Sequence, residues 1–228
     1  MKKTIIYTLA VISLVLMSCS TQKLQKKNVA YKKMYSEKPL AILIMPPINQ
    51  TTNVDAKEYF HSTLLHPLAE AGYYVIPPFL SMEILKKESA YDSEQFLEKP
   101  LKLFGEVFGA DVALFTVIHK WDKNPIAATV TVDIEYVIRS TKTDEVLYSR
   151  RGTVIYDNST SNNNGGLGGL VASMAISALK TATQDYMPVA ISCNKFTFYD
   201  LPQGNYSAKH GNDGEELQGN NHFKVRLH

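Results

Sequence analysis

Residues 41–78 read AILIMPPINQTTNVDAKEYFHSTLLHPLAEAGYYVIPP, and their order of apolar run, proline pair, polar turn, amphipathic stretch and second apolar run decides the fold. Leu40 to Met45 carries no polar side chain, the pattern of a short strand covered on both faces. Pro46 and Pro47 are expected to stop it and Asn49 to Asn53 to make the turn. Asp55, with Glu58 three residues later, forms a variant capping box that opens a helix. That helix turns Tyr59, Phe60, Thr63 and Leu64 inward, is kinked at Pro67 and is closed by Gly72. YYVI then gives a second strand, again ended by prolines, so the segment is a β-α-β unit with parallel strands. Partners and ligands of open α/β sheets bind beyond the carboxyl ends of parallel strands. The loops at 46–54 and 77–79 therefore form a candidate partner-binding rim, carried by Pro46, Pro47, Asn49, Asn53, Pro77 and Pro78.

Further helices are expected near Leu80 to Lys87 and from Ser93 to Phe108, the latter interrupted at Pro100. From Asp111 the period changes to two. DVALFTVIHKW, TVTVDIEYVIR and EVLYSRRGTVIY are three consecutive antiparallel strands, the second with Val130, Val132, Ile134, Tyr136 and Ile138 on one face. The fold class is α/β: a single mixed sheet built from the parallel unit and a three-stranded antiparallel meander, with helices packed on it. DNSTSNNNGG is a loop leading into a helix over 166–187 that Pro188 ends. The small residues of this helix would let another backbone approach, with Leu170, Met174 and Leu179 supplying apolar contact. It either covers the sheet or docks on a partner. Residues 206–228 are polar and read as a disordered tail.

The first eighteen residues carry Lys2 and Lys3 followed by an uncharged, mainly apolar run from Thr4 to Met17, which is the build of a secretory signal and too short for a stable membrane span. LMSCS, residues 16–20, resembles a lipobox, which implies cleavage before Cys19 and acylation of that cysteine; Ser20 in place of Asp implies sorting to the outer membrane, facing the periplasm. Loss of Lys2 and Lys3 turns 24 basic groups into 22, against 22 acidic ones. Residues 19–38 hold six of those lysines and read as a tether, leaving an acidic body with no field for nucleic acid. The domain proper is expected over residues 39–205. Once Cys19 is acylated, Cys193 has no disulfide partner and is read as a small buried hydrophobe, with a reactive thiol as the alternative.

No catalytic constellation is found. His61 and His66 stand five apart, about 140° around a helix, so they do not share a metal-binding face. His119 beside Trp121 reads as a packed or edge histidine. Asp133 and Glu135 share the polar face of a strand, where a sheet needs polar residues in any case. The chain has no Gly-x-Ser-x-Gly elbow, and NNNGGLGGL lacks phosphate-loop spacing. No metal and no cofactor is expected, and no enzymatic activity.

ILIMPPINQTTNVDAKEYFHSTLLHPLAEAGYYVIP, LFGADVALF and VDIEYVIRSTKTDEVLYSRRG, together with the lipobox, resemble the bacterial lipoprotein family catalogued as domain of unknown function 799, which includes a lipoprotein vaccine antigen. The resemblance covers about residues 39–205. It implies an α/β fold similar to the amino-terminal domain of the translocation protein TolB, and a place in an envelope secretion or transport assembly. The implied partners are a curli-channel-like lipoprotein and a small companion lipoprotein, with self-association open. An accessory activator of a cell-wall enzyme, reached across the periplasm by the tether, is the alternative, followed by a small-ligand-binding domain.

Overall fold

The computed structural model describes residues 24–159 and 186–227. Two short helices, α1 (Lys27–Ala30) and α2 (Lys32–Glu37), lead into β1 (Ala41–Ile44) and β2 (Ile48–Asn49). Then come α3 (Ala56–Thr63), α4 (Leu65–Glu70), β3 (Tyr74–Val75), α5 (Pro78–Lys87), a 3-10 turn (Ser93–Phe96) and α6 (Lys102–Phe108). The meander β4 (Val112–Asn124), β5 (Thr129–Ser140) and β6 (Val146–Asp157) follows, and α7 (Tyr186–Thr197) and β7 (His222–Leu227) complete the described residues. The strands form one sheet in the order β3-β1-β4-β5-β6-β7, with β2 also on β4. The β1–β3 and β1–β4 pairs are parallel, and β4–β5–β6 are antiparallel. The expected mixed sheet is thus present.

All four β1 residues are buried, because each face of the strand meets its own core. Ile42 and Ile44 pack with Phe60, Leu64 and Leu68 of α3 and α4, whereas Leu43 and Met45 pack with Leu85 and Phe104 of α5 and α6. Alternation across a pleated strand turns one apolar run into two cores.

Four local readings need correction. Pro46 and Pro47 interrupt the strand without ending it: they lack N–H groups for the ladder, yet Ile48 and Asn49 resume parallel pairing with Val117 and Ile118 of β4. Asn53, and not Asp55, caps α3, since its Oδ1 accepts from the backbone N–H groups of Asp55 and Ala56, both at 3.1 Å, while Asp55 makes no side-chain cap bond. The stretch from Ser93 to Phe108 is broken around Pro100 as expected, but its first part is a 3-10 turn and not an α-helix. Pro188 lies inside α7 and not at a helix end, while residues 166–185 of the expected helix lie outside the described residues. Gly72 does end α4 as expected: at φ +87° it lets Tyr73 N–H bond Leu68 O at 3.2 Å and Gly72 N–H bond Ala69 O at 2.9 Å.

Both chain ends of the domain are more ordered than their polarity suggests. Lys27, Tyr31 and Met34 are buried at helical spacing, so the tether reading fails for residues 27–37. Lys27 tolerates burial because its ammonium reaches Glu216 at 2.7 Å and Asp213 at 3.8 Å. The backbone N–H groups of Lys27 and Asn28 donate to Glu216 O and Gly214 O at 2.8 and 3.0 Å. The supposedly disordered tail is folded as well. It crosses α1 and enters the sheet as β7, parallel to β6 from Arg151↔His222 to Tyr156↔Leu227.

A buried ion pair ties these pieces together. Arg150 Nη1 lies 3.2 Å from Asp200 Oδ1, with both side chains out of solvent, and the guanidinium also donates to the carbonyls of Thr197 at 2.7 Å, Phe196 at 3.2 Å and Asn220 at 3.0 Å. Asp200 accepts from Tyr31 OH at 2.6 Å and Tyr148 OH at 3.0 Å. Removing one member leaves the other buried and uncompensated, which costs about 3–5 kcal/mol. Asp200→Ala is expected to lower unfolding stability by that amount in urea titration and to speed proteolysis of residues 24–37 and 213–227 together.

Candidate functional site

The strand pairing places the two proline loops on one rim, because β1 and β3 are parallel neighbours. The residues of that rim are occupied with their own turns. Pro46 and Pro47 are buried. Asn49 Nδ2 donates to Asn53 O at 2.6 Å, and its Oδ1 accepts from Thr51 N and Oγ1 at 3.0 and 2.8 Å. Pro77 occupies the N-cap of α5 and Pro78 its first turn, where the fixed φ of proline suits a helix start. Pro46 and Pro47 therefore offer no contact surface, and the asparagine amides are engaged in the turn.

The prolines at 77–78 instead launch a helix that, with α6, frames an apolar groove of about 400 Å³. Ile84, Ala90, Phe96, Phe104 and Phe108 are among the residues that line it. Its rim stays in solvent: Leu103 and Val107 are 64% and 57% exposed, and Ile84 of α5 is exposed as well. Contiguous apolar surface of this kind marks interaction sites, whereas single exposed leucines do not. The floor is aromatic, with Phe96 edge-on to Phe104 at 5.1 Å and Phe108 stacked on Phe104 at 6.5 Å.

Arg139 holds the groove's wall. It is buried and spends its guanidinium on carbonyls: Phe96, Leu97 and Lys99 at 3.0, 2.6 and 3.1 Å through Nη1, and Asp144 O at 3.1 and 2.9 Å through Nε and Nη2. A planar fork with five donors can satisfy an irregular stretch of backbone in this way, which an ammonium cannot. The segment after the 3-10 turn is thereby fixed against β5 without a helix or strand of its own.

The titratable candidates are placed singly. His61 is buried, hydrogen-bonded to the Ile44 backbone, and held at about 4 by desolvation, with Lys57 and Lys86 adding to the effect. His66 pairs with Glu70 at 3.1 Å on the outside of α4. His119 bridges Gln50 at 2.8 Å and Glu135 at 3.0 Å, and Asp133 takes Arg151 at 3.1 Å, so the two carboxylates on β5 serve different partners. Cys193 is fully buried, and burial pushes its thiol up, which favours the inert reading. Among the described residues no cluster of His, Cys, Asp or Glu could hold a metal ion. Cys19, Leu170, Met174 and Leu179 lie outside the described residues.

Residues 29–198 match the model of the family described as "Putative lipoprotein GNA1162-like". The chain belongs to this family. It is similar to "Putative lipoprotein NMB1124/NMB1162" of Neisseria meningitidis serogroup B, 26% identical over 80% of this chain and 84% of that protein. Among solved structures it is similar to the crystal structure of lipoprotein GNA1162 from Neisseria meningitidis, at 22% identity and a TM-score of 0.49 over 62% of this chain and 98% of the other. The LpoB C-terminal domain from Salmonella enterica shares 14% identity and a TM-score of 0.35 over 56% and 94% of the respective chains. The match to the family model begins inside α1, in keeping with helices that belong to the domain. No helix of the described residues is long and apolar enough to cross a membrane.

His61 makes the fold pH-sensitive in a defined direction. With about 4 in the folded chain against an ordinary 6.5, the unfolded chain takes up the proton first as pH falls. Stability from this residue is full above 6.5 and is lost as pH drops towards 4, by up to about 3 kcal/mol. Urea midpoints measured across this range are expected to fall in the parent protein and to follow a flatter profile in His61→Gln.

Proposed function

We propose that the protein is a non-enzymatic, lipid-anchored envelope lipoprotein whose folded domain binds another envelope protein through the groove between α5 and α6. The observation that carries this reading is the exposed apolar rim of Leu103 and Val107 over a floor of packed phenylalanines. A groove lined this way accepts apolar side chains from a helix or loop of a partner, since burying each large one contributes about 1.5–3 kcal/mol. The anchor is assigned to Cys19, in the outer membrane with the domain in the periplasm, on the signal and lipobox pattern. A curli-channel-like lipoprotein and a small companion lipoprotein are the partners the family resemblance favours, as parts of a secretion or transport assembly. Catalysis has no support: the histidines are separated, and the carboxylates of β5 have separate partners.

The test is cross-linking in intact cells with the full chain at native level, followed by mass spectrometry. The parent protein is expected to capture an envelope lipoprotein, and Leu103→Glu with Val107→Glu to lose it while changing unfolding stability by no more than about 0.5 kcal/mol each, as exposed positions allow. Cys19→Ala is expected to lose the capture through mislocalisation. Unchanged capture by the groove variant would overturn the assignment of the site.

A further inference from the structure

We infer that the outer face of α1 and α2, together with the tail segment that crosses α1, lies against the lipid headgroups of the membrane. The inference rests on acylation of Cys19 and goes beyond it by assigning the face. Lys26 is bridged to Leu217 and ion-paired with Glu215, and Lys27 is buried. The domain is thus already fixed at residue 26. Six residues lie between Cys19 and Lys26, and the seven Cα-to-Cα steps span at most about 25 Å even when fully extended. The thirteen-residue strand β4 is about 40 Å long. A link of this length keeps the surface around Lys26 within about 25 Å of the bilayer, and because the molecule is longer than the link, that surface faces the membrane more readily than the opposite end.

The surface beside the link has the chemistry of a headgroup layer. α1 and α2 bury Lys27, Tyr31 and Met34 and turn Val29, Lys32 and Lys33 outward. Val29 and Leu217 are 61% and 60% exposed beside Lys26. Lysines that keep their ammonium groups in the polar layer while apolar neighbours enter the interface are suited to an anionic lipid surface. The β4–β5 turn, with Ile126 exposed, lies at one end of the meander. α2 meets the opposite end of the meander, with Lys33 2.9 Å from Glu145 and Glu37 2.9 Å from Thr143. α5 and α6 pack on the other face of the sheet, which leaves the groove free while α1 and α2 are on the membrane.

The experiment uses the lipidated full chain reconstituted in vesicles of phosphatidylethanolamine with a minority of phosphatidylglycerol and a headgroup-labelled quencher lipid. Fluorophores are attached through Val29→Cys, Leu217→Cys or Ile126→Cys; buried Cys193 stays unlabelled. Quenching at 29 and 217 is expected to exceed that at 126 several-fold, and to fall when Lys32 and Lys33 are changed to Glu. Equal quenching at the three positions, stronger quenching at 126, or no response to the charge change overturns the inference. Intact mass separates the two layers of the account. A chain without lipid on Cys19 removes the anchor and the inference together, whereas a lipidated chain without the gradient removes only the inference.

Discussion

The fold depends on the pairing of Arg150 with Asp200. Neither charge has access to water, and an isolated ion in such a place would cost several kcal/mol in lost hydration. The structure offsets that cost by surrounding each charge with partners drawn from distant parts of the chain. Arg150 on β6 takes carbonyls from the end of α7 and from Asn220, while Asp200 takes hydroxyls from Tyr31 and Tyr148. Phe223 and Tyr199 lie over the guanidinium at 4.6 and 4.7 Å and shut out solvent. The N-terminal helices, the meander, α7 and the tail can satisfy these groups only when all are in place together. Cooperativity of the two chain ends is therefore a consequence of one desolvated ion pair.

This explains which parts of the fold were legible in the sequence. β1, β3, α3 and the meander announce themselves through local periodicity, because each buries an apolar face whose spacing is set by its own backbone. α1, α2 and β7 do not. The stretch around Lys27 carries many lysines and looks solvated, and its order comes from Asp213 and Glu216, nearly two hundred residues away. The tail looks disordered because what is buried in it is polar: Asp213 accepts from Gln203 N–H and the Gln218 backbone N–H donates to Gln25 O, with little apolar packing to mark the segment. Spacing within a window cannot report such pairs.

The proline-loop rim looks different once its hydrogen bonds are known. Polar turns after strands draw attention as sites, yet Asn49 and Asn53 are spent on the turn and the cap of α3. The exposed apolar surface comes from α6, where KLFGEVF is apolar on more than one side. A seven-residue helix has only one face to give to its own core, so Leu103 and Val107 had to remain outside once Phe104 went in. Arg139 fixes the wall of that groove through carbonyls that no sequence pattern links to it.

The groove proposed between α5 and α6 and the rim of the parallel strands are competing contact surfaces. Photo-cross-linking in intact cells decides between them most directly, with a photoreactive amino acid at Leu103 in one protein and at Val54, exposed on the rim, in another. Covalent adducts with an envelope protein are expected from position 103 and none from position 54. Adducts from 54 with a silent 103 would contradict the proposed groove.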